Sequence, residues 1–240
     1  MTVLRSAVFN AMFFLVTFLV VLVATVVRLF GTERVLGMAI LWARILVFAA
    51  RVICGIRLEV TGLDRIAPGP ALIASRHQSA FDTFVWLTLL PRCCYVLKHE
   101  LLRIPLFGPL LRDAGLIPID REAGAGAIRT LMREADRAVR ENRQIVIFPE
   151  GTRSEPGSPL ALQPGILALA SRTGLPVIPV ATDSGLCWGR RAFRKRPGTI
   201  HILIGHPIPP TADRPALARM LEQGLSALDH CNRIDTPAAV

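Results

Sequence analysis

An uncharged apolar stretch from Ala7 to Val27 constrains the fold of this chain more than any other feature. Its only polar side chains are those of Asn10, Thr17 and Thr25. A run of about 20 apolar residues is long enough for an α-helix to cross the hydrocarbon core of a bilayer. A cleaved signal peptide usually has a shorter apolar core and a small-residue cleavage site, whereas this run continues into Arg28. The stretch therefore predicts a retained membrane anchor.

A second apolar segment, residues 35–56, follows after a short polar turn and carries Arg44 and Arg51. Their spacing of seven residues places both arginines on one face of a helix. A charge at the bilayer centre is costly, but a helix at the interface can extend its arginines towards water. We therefore expect a helical hairpin that is embedded in, or lies on, one membrane. The alternative is one spanning helix followed by a helix of the protein core.

The net charge of +10 favours anionic membranes, nucleic acid or acidic ligands as partners. With a membrane anchor predicted, a lipid surface is the simplest partner. No aromatic platform or recognition motif accompanies the charge, so we expect no nucleic-acid partner. The basic run at 189–198 suits anionic lipid, the phosphates of coenzyme A or an acidic carrier protein, and it equally suits a solvated loop.

The cysteines indicate reduced thiols and not a disulfide framework or a metal site. They form an odd set without CxxC spacing, at positions 54, 93, 94, 187 and 231. Such a pattern is typical of reduced thiols in the cytosol, so no zinc or other metal is expected.

From about Gly55 the pattern becomes that of an α/β domain. Short apolar runs bounded by glycine, proline or polar residues predict strands at 55–62, 70–75, 94–98, 116–120, 144–148, 176–182 and 199–205. Amphipathic or capped segments predict helices at 80–91, 126–141, 164–173 and 213–231. We expect a mixed, largely parallel sheet flanked by helices. The predicted organisation is membrane-anchoring helices in 1–56, the α/β domain in 57–232 and a flexible tail in 233–240.

Polar clusters follow three of the predicted strands, at 75–82, 120–121 and 149–154. In open α/β sheets, ligands gather at the carboxyl ends of the strands. We therefore expect the three clusters to share one edge of the sheet.

The first cluster contains His77 and Asp82. Five residues turn an α-helix by about 500°, so the two side chains meet only if His77 lies in the loop and Asp82 in the first helical turn. The spacing also fits a capping box in which Ser79 is the N-cap and Asp82 the third helical residue. In a functional interpretation, the carboxylate fixes the imidazole tautomer and leaves the other ring nitrogen as a base. No G-x-S-x-G serine elbow is present, so the nucleophile would be an alcohol of the substrate.

The other two clusters contain arginines that suit a phosphate group. Gly151 permits close backbone approach, Thr152 offers a hydroxyl and Arg153 a forked guanidinium. Glu150 is acidic, so it suits a hydroxyl or an arginine better than a phosphate. Arg121 follows the strand at 116–120. The alternative is that these are surface polar residues, with Arg121 in an ion pair.

Together these residues resemble the 1-acylglycerol-3-phosphate acyltransferase family, which has four ordered sequence blocks. The first is His-x4-Asp, matched by His77 and Asp82. The second is a glycine, an apolar strand and an arginine, matched by residues 115–121. The third is Phe-Pro-Glu-Gly-Thr-Arg-Ser, matched in full by residues 148–154, and the fourth is an apolar strand around Pro179. The resemblance covers about residues 1–225, including a hairpin membrane anchor.

The resemblance implies transfer of a fatty acyl group from acyl-CoA or acyl-carrier protein to the sn-2 hydroxyl of lysophosphatidate, giving phosphatidate. It implies that His77 is the general base and that Asp82 orients it, with no metal or cofactor. The implied phosphate site is held by Arg121 and Arg153, shaped by Gly151 and Thr152, and ordered by Glu150. Arg76 departs from the family pattern, which often has asparagine before the histidine.

Two other functions remain open from the sequence. Lyso-ornithine lipid acyltransferases share the His-x4-Asp block, and an inactive acyltransferase fold would serve as a membrane lipid-binding protein. A thioester donor implies an active site that faces the cytoplasm, at the cell inner membrane.

Overall fold

The structure, a computed structural model, describes residues 2–120, 123–211 and 213–234, with side chains described as far as residue 230. Its N-terminal part is a helical hairpin of α1 (Thr2–Val27) and α2 (Glu33–Cys54), joined through a 3₁₀ turn at Arg28–Phe30. Trp42 Nε1 donates a hydrogen bond to Thr17 Oγ1 at 3.0 Å and so fixes the two helices against each other. Both helices are long and apolar enough to cross a membrane, by length and composition. The predicted hairpin is therefore present.

The second helix packs one face on the α/β domain and leaves the other exposed. Leu46, Ala50 and Cys54 are buried in the core. Arg44 and Arg51 lie on the exposed side, together with other exposed side chains such as Phe48. The helix can therefore serve the core and a lipid surface at the same time.

The first helix is fastened to the domain by Lys195 from the basic run at 189–198. The Lys195 backbone N–H donates to Ser6 Oγ at 2.9 Å, and its ammonium group donates to Asn10 Oδ1. The ammonium also lies 4.7 Å from the centre of the Trp188 ring, a cation–π contact. One charge of the basic run is thus buried against α1 and is not available to an external partner.

The domain is a seven-stranded sheet in the order β1-β7-β6-β2-β5-β3-β4. The strands are β1 (Ile56–Thr61), β2 (Ala71–Ser75), β3 (Cys93–Lys98), β4 (Ile117–Ile119), β5 (Gln144–Ile147), β6 (Val177–Thr182) and β7 (Gly198–Ile204). All neighbours are parallel except β6 and β7, which are antiparallel. The predicted mixed, largely parallel sheet is confirmed.

Helices cover both faces of this sheet. They are α3 (Asp82–Leu89), α4 (Phe107–Asp113), α5 (Ala125–Arg140), α6 (Pro164–Thr173), α7 (Ser184–Cys187) and α8 (Arg214–Ile234). One core joins α2 and α3 to the sheet, and the other joins α5, α6 and α8 to its opposite face. β2, β5 and β6 are buried along their whole length because helices cover both faces of the sheet. This burial explains their nearly continuous apolar sequences.

The described helices and strands can be compared with the predicted boundaries at residues 56 and 233. The hairpin ends at Cys54 and β1 begins at Ile56, beside the expected boundary at 56. The last helix extends to Ile234, and the rest of the expected tail, 235–240, lies outside the described residues. The division into an anchor, a domain and a tail otherwise stays a prediction.

Gly115 is a position that strongly favours glycine. Its φ of +76° is left-handed, and a Cβ there would lie 1.5 Å from Nη1 of the buried Arg143. Gly115→Ala should therefore lower the free energy of unfolding by about 2–4 kcal/mol, through backbone strain and overpacking. Thermal unfolding in detergent measures this loss. The control is Gly126→Ala in α5, where a Cβ has room and which we expect to leave the unfolding temperature unchanged or slightly raised. Equal unfolding temperatures for the two variants would contradict this explanation.

Candidate active site

The loop between β2 and α3 brings His77 and Asp82 together. Asp82 is the first residue of α3, and its Oδ2 lies 3.1 Å from His77 Nδ1. The same oxygen accepts hydrogen bonds from the backbone N–H groups of Gln78 at 2.7 Å and Ser79 at 2.8 Å. An acceptor oxygen beside Nδ1 assigns the proton to that nitrogen and leaves Nε2 as the basic one. One carboxylate therefore shapes the loop and sets the tautomer.

The predicted capping box is only half right. Ser79 Oγ accepts from the Phe81 N–H at 3.1 Å, two residues on, and the helix begins three residues after Ser79. The Asp82 carboxylate does bind the Ser79 N–H, as the acidic residue of a capping box does. Ser79 is therefore a turn residue of the loop and not the N-cap.

The ring of Phe148, the residue directly after β5, packs against the face of the His77 imidazole. The two rings are stacked with centroids 4.1 Å apart and an interplanar angle of 20°. Because β2 and β5 are neighbours in the sheet, the third sequence block reaches the first one directly. The His77 side chain is 11% exposed, so the imidazole is largely buried but still reaches the surface.

Glu150 binds the backbone of the histidine loop. Its Oε2 accepts from the His77 N–H at 3.0 Å, and its Oε1 accepts from Ser154 Oγ at 2.9 Å. The Ser154 N–H in turn donates to the His77 carbonyl at 2.7 Å. Burial raises the pKa of Glu150, while the charge of Arg76 and these hydrogen bonds act in the opposite direction. Both carboxylate oxygens of Glu150 are thus engaged with the protein, and its expected role in ordering the phosphate site stays a prediction.

The contact between Arg76 and Glu150 was not predicted from the sequence. Its side chain is 2% exposed, and its Nε lies 3.0 Å from Glu150 Oε1. That N–H does not point at the oxygen, so the contact is an ion pair without a hydrogen bond. An arginine directly after a buried strand was the available signal, because such a charge needs a buried partner.

Arg153 lies half-buried at the same edge of the sheet. Burial lowers the pKa of its guanidinium, Asp82 opposes this through its negative charge, and Arg190 adds to it through its positive charge. Arg153 is therefore within electrostatic reach of the dyad and of the basic run. Gly151 has a left-handed φ of +69° and closes a turn onto the Phe148 carbonyl, and Thr152 is exposed beside it.

Arg121 lies outside the described residues, so its expected place beside Arg153 stays a prediction. The strand that precedes it, β4, runs parallel to β3 and ends at the same edge as β2 and β5. Within the described ranges, no group of three or more His, Cys, Asp or Glu side chains is arranged to hold a metal ion. What the arrangement offers is a base, its orienting carboxylate and a nearby guanidinium.

A histidine paired with a carboxylate is able to take a proton from a hydroxyl group, and such a pair lies here near a guanidinium. The sequence model of the family described as Acyltransferase matches residues 57–183, which include every candidate site residue. This protein belongs to that acyltransferase family.

Two relatives within the reach of sequence comparison are named as 1-acyl-sn-glycerol-3-phosphate acyltransferases. A 1-acyl-sn-glycerol-3-phosphate acyltransferase of Pseudomonas aeruginosa is 37% identical over 186 residues, which cover 78% of this chain and 72% of that protein. The 1-acyl-sn-glycerol-3-phosphate acyltransferase alpha of Homo sapiens is 32% identical over 212 residues, which cover 85% of this chain and 73% of that one.

The fold also has a close structural counterpart. The crystal structure of the 1-acyl-sn-glycerophosphate (LPA) acyltransferase, PlsC, from Thermotoga maritima aligns with a TM-score of 0.71 over 95% of this chain and 98% of that chain. The two sequences are 21% identical, so this likeness establishes the fold alone.

Proposed function

We propose that this protein transfers a fatty acyl group from a thioester to the sn-2 hydroxyl of 1-acylglycerol 3-phosphate, giving phosphatidate for phospholipid biosynthesis. The observation that carries the proposal is the His77–Asp82 pair, held 3.1 Å apart near the Arg153 guanidinium. The family supports the acyl transfer, and the names of the relatives from Pseudomonas aeruginosa and Homo sapiens support the acceptor.

The proposed reaction is one direct displacement. His77 Nε2 removes the proton from the acceptor hydroxyl while the hydroxyl oxygen attacks the thioester carbonyl. Asp82 keeps Nδ1 protonated and stabilises the imidazolium that forms. The carbon–sulfur bond then breaks, the imidazolium returns the proton to the departing thiolate, and the new ester is released. The step requires no acyl-enzyme, metal or cofactor, since the thioester is a co-substrate.

The phosphate of the acceptor is proposed to bind Arg153 and Arg121, in a pocket shaped by Gly151 and Thr152. A guanidinium suits this role because it offers paired donors to phosphate oxygens. Glu150 orders the pocket through its contacts with His77 and Ser154. The donor is acyl-CoA or acyl-carrier protein.

The hairpin is proposed to hold the site at the inner membrane, with the active site facing the cytoplasm. Its lipid-facing side would be formed by the exposed apolar side chains of α1, among them Phe14, Leu15 and Phe18. This position suits an acceptor that resides in the bilayer and a donor that is made in the cytoplasm.

An acceptor panel tests the proposal. The purified protein in mixed micelles is given a radiolabelled acyl thioester with lysophosphatidate, lysophosphatidylcholine, lyso-ornithine lipid or no acceptor. We expect labelled phosphatidate as the main product. Preferential acylation of lyso-ornithine lipid would mean that this lipid, and not lysophosphatidate, is the acceptor. Absence of any acylated lipid would support a lipid-binding protein without activity.

Arg153→Met should weaken binding of the phosphate acceptor. We expect the KM for lysophosphatidate to rise by about 10- to 100-fold, because a hydrogen bond to a charged group contributes about 1.5–3 kcal/mol. The KM for the thioester should stay within about twofold, since removing a contact to one substrate leaves the other's binding energy intact. Initial rates at varied acceptor concentration measure both constants. The matched control is Arg172→Met, which removes an exposed arginine paired with Asp136 on the outer helices. An unchanged KM for lysophosphatidate in the Arg153 variant would assign that arginine a structural role.

A further inference from the structure

Arg76 contacts four other parts of the chain behind the catalytic loop, one through its backbone and three through its side chain. Its backbone N–H donates to the Val180 carbonyl at 2.9 Å, so the residue stands on the rigid sheet. Its guanidinium lies 3.0 Å from Glu150 Oε1 and 3.1 Å from Asp229 Oδ2 on α8. It also donates to the Ser158 carbonyl at 3.0 Å through Nη2.

Glu150 connects this guanidinium to the histidine. One of its oxygens faces Arg76, and the other accepts from the His77 N–H at 3.0 Å. A buried carboxylate that loses its positive partner is left as an uncompensated charge, which is strongly unfavourable. It would then turn towards water, which removes the acceptor of the His77 N–H, or take up a proton, which leaves that N–H only a weaker neutral acceptor.

We infer that Arg76, itself held by Asp229, is a positioning residue that acts through Glu150 to fix His77 opposite Asp82. This role makes the C-terminal helix part of the support of the active site. It rests on the proposed function only in that His77 is taken as the base. A misplacement of a catalytic group by about 1 Å can cost about 10²-fold in rate, which sets the scale of the effect.

Charge balance gives the sharpest test, because Arg76 and Glu150 can be neutralised singly or together. Arg76→Met should lower kcat by about 10²-fold while both KM values stay within about twofold, since the Arg76 side chain is buried behind the loop and is only 2% exposed. In an Arg76→Met/Glu150→Gln protein, neither the buried arginine nor the buried glutamate charge remains, and the Asp229 carboxylate, whose side chain is 19% exposed, can reach water. The introduced amide carbonyl can still accept from the His77 N–H. We therefore expect the double variant to be as active as Glu150→Gln alone.

Asp229→Asn tests the outer partner. It should lower kcat by about threefold in the wild-type background and have no effect in the Arg76→Met background, because coupled residues are not additive. Arg76→Lys keeps the charge but not all the contacts, and it should retain more activity than Arg76→Met. Arg172→Met/Asp136→Asn, which removes an ion pair between α5 and α6, is the control for loss of an arginine–aspartate pair.

A measurement without substrate separates this inference from the proposed function. The rate at which diethyl pyrocarbonate modifies His77, followed by mass spectrometry of its peptide, reports how well the imidazole is held against Phe148. We expect this rate to rise at least about fivefold in Arg76→Met, since the ring would leave its largely buried place, and to return to the wild-type value in the double variant. Inactive wild-type protein would refute the proposed function and leave this rate as the test of Arg76.

Three results would overturn the inference. One is a wild-type rate of His77 modification in folded Arg76→Met protein. Another is a raised KM with unchanged kcat, which would mean that Arg76 binds substrate. The third is additive effects of Arg76→Met and Glu150→Gln. Should Arg76→Met fail to fold, Arg76→Lys and Asp229→Asn carry the same comparisons.

Discussion

Replacement of His77 by alanine is expected to lower kcat for phosphatidate formation by about 10²- to 10⁴-fold, the range that general base catalysis contributes. The proposed reason is that Nε2 is the group that takes the proton of the acceptor hydroxyl. The KM values should change little, because the proton transfer occurs only in the transition state. Rates from a radiolabelled thioester at saturating lysophosphatidate measure this loss.

The fold should tolerate this substitution. The Glu150 and Ser154 contacts are made to the backbone of His77, and alanine keeps them. The lost ring stacking on Phe148 should cost about 0.5–1.5 kcal/mol of stability. His201→Ala is the matched control, since His201 also pairs with an aspartate, Asp183, at 2.7 Å. A kcat within tenfold of wild type in folded His77→Ala protein would assign the base to another group.

Asp82→Asn should produce the second large effect, a fall in kcat of about 10²- to 10⁴-fold, because a neutral amide cannot stabilise the imidazolium and can favour the wrong tautomer. The loop itself should largely survive. The asparagine carbonyl can take the place of Oδ2 and accept from the backbone N–H groups of Gln78 and Ser79. We therefore expect a modest decrease in unfolding temperature and little change in KM.

The control for this variant is Asp183→Asn. Asp183 likewise binds an imidazole and a backbone N–H group: its Oδ2 lies 2.7 Å from His201 Nδ1, and its Oδ1 accepts from the His201 N–H at 2.7 Å. A general effect of neutralising an aspartate beside a histidine would lower activity equally in both proteins. Loss of activity in Asp82→Asn alone would support the proposal that Asp82 orients His77. A wild-type kcat in Asp82→Asn would contradict it.

Strands and helices could be predicted from the sequence wherever burial dictates the residue types. β2 was expected at 70–75 and is found at Ala71–Ser75, because a strand buried on both faces needs an unbroken apolar run. The antiparallel direction of β7 was not predicted. It depends on the path of residues 183–197, in which the four-residue helix α7 provides no regular crossover.

The candidate site likewise has features that could be predicted from the sequence and features that could not. The spacing of His77 and Asp82 predicted that one lies in a loop and the other in the first helical turn, and the structure has that arrangement. The stacking of Phe148 on His77 could not be predicted, because it depends on β2 and β5 being neighbours. The Arg76 contacts with Glu150 and Asp229 likewise depend on where β5 ends and where α8 packs.

The central claim is that His77 activates the acceptor hydroxyl for direct attack on the thioester. The most direct measurement is thiol release by the wild-type protein with lysophosphatidate or with its analogue that lacks the sn-2 hydroxyl. The proposed mechanism predicts that thiol is released with lysophosphatidate, in step with phosphatidate, and that the deoxy analogue gives only the background rate. Equal thiol release with both lipids would mean that water or a protein group attacks the thioester, and it would contradict the mechanism.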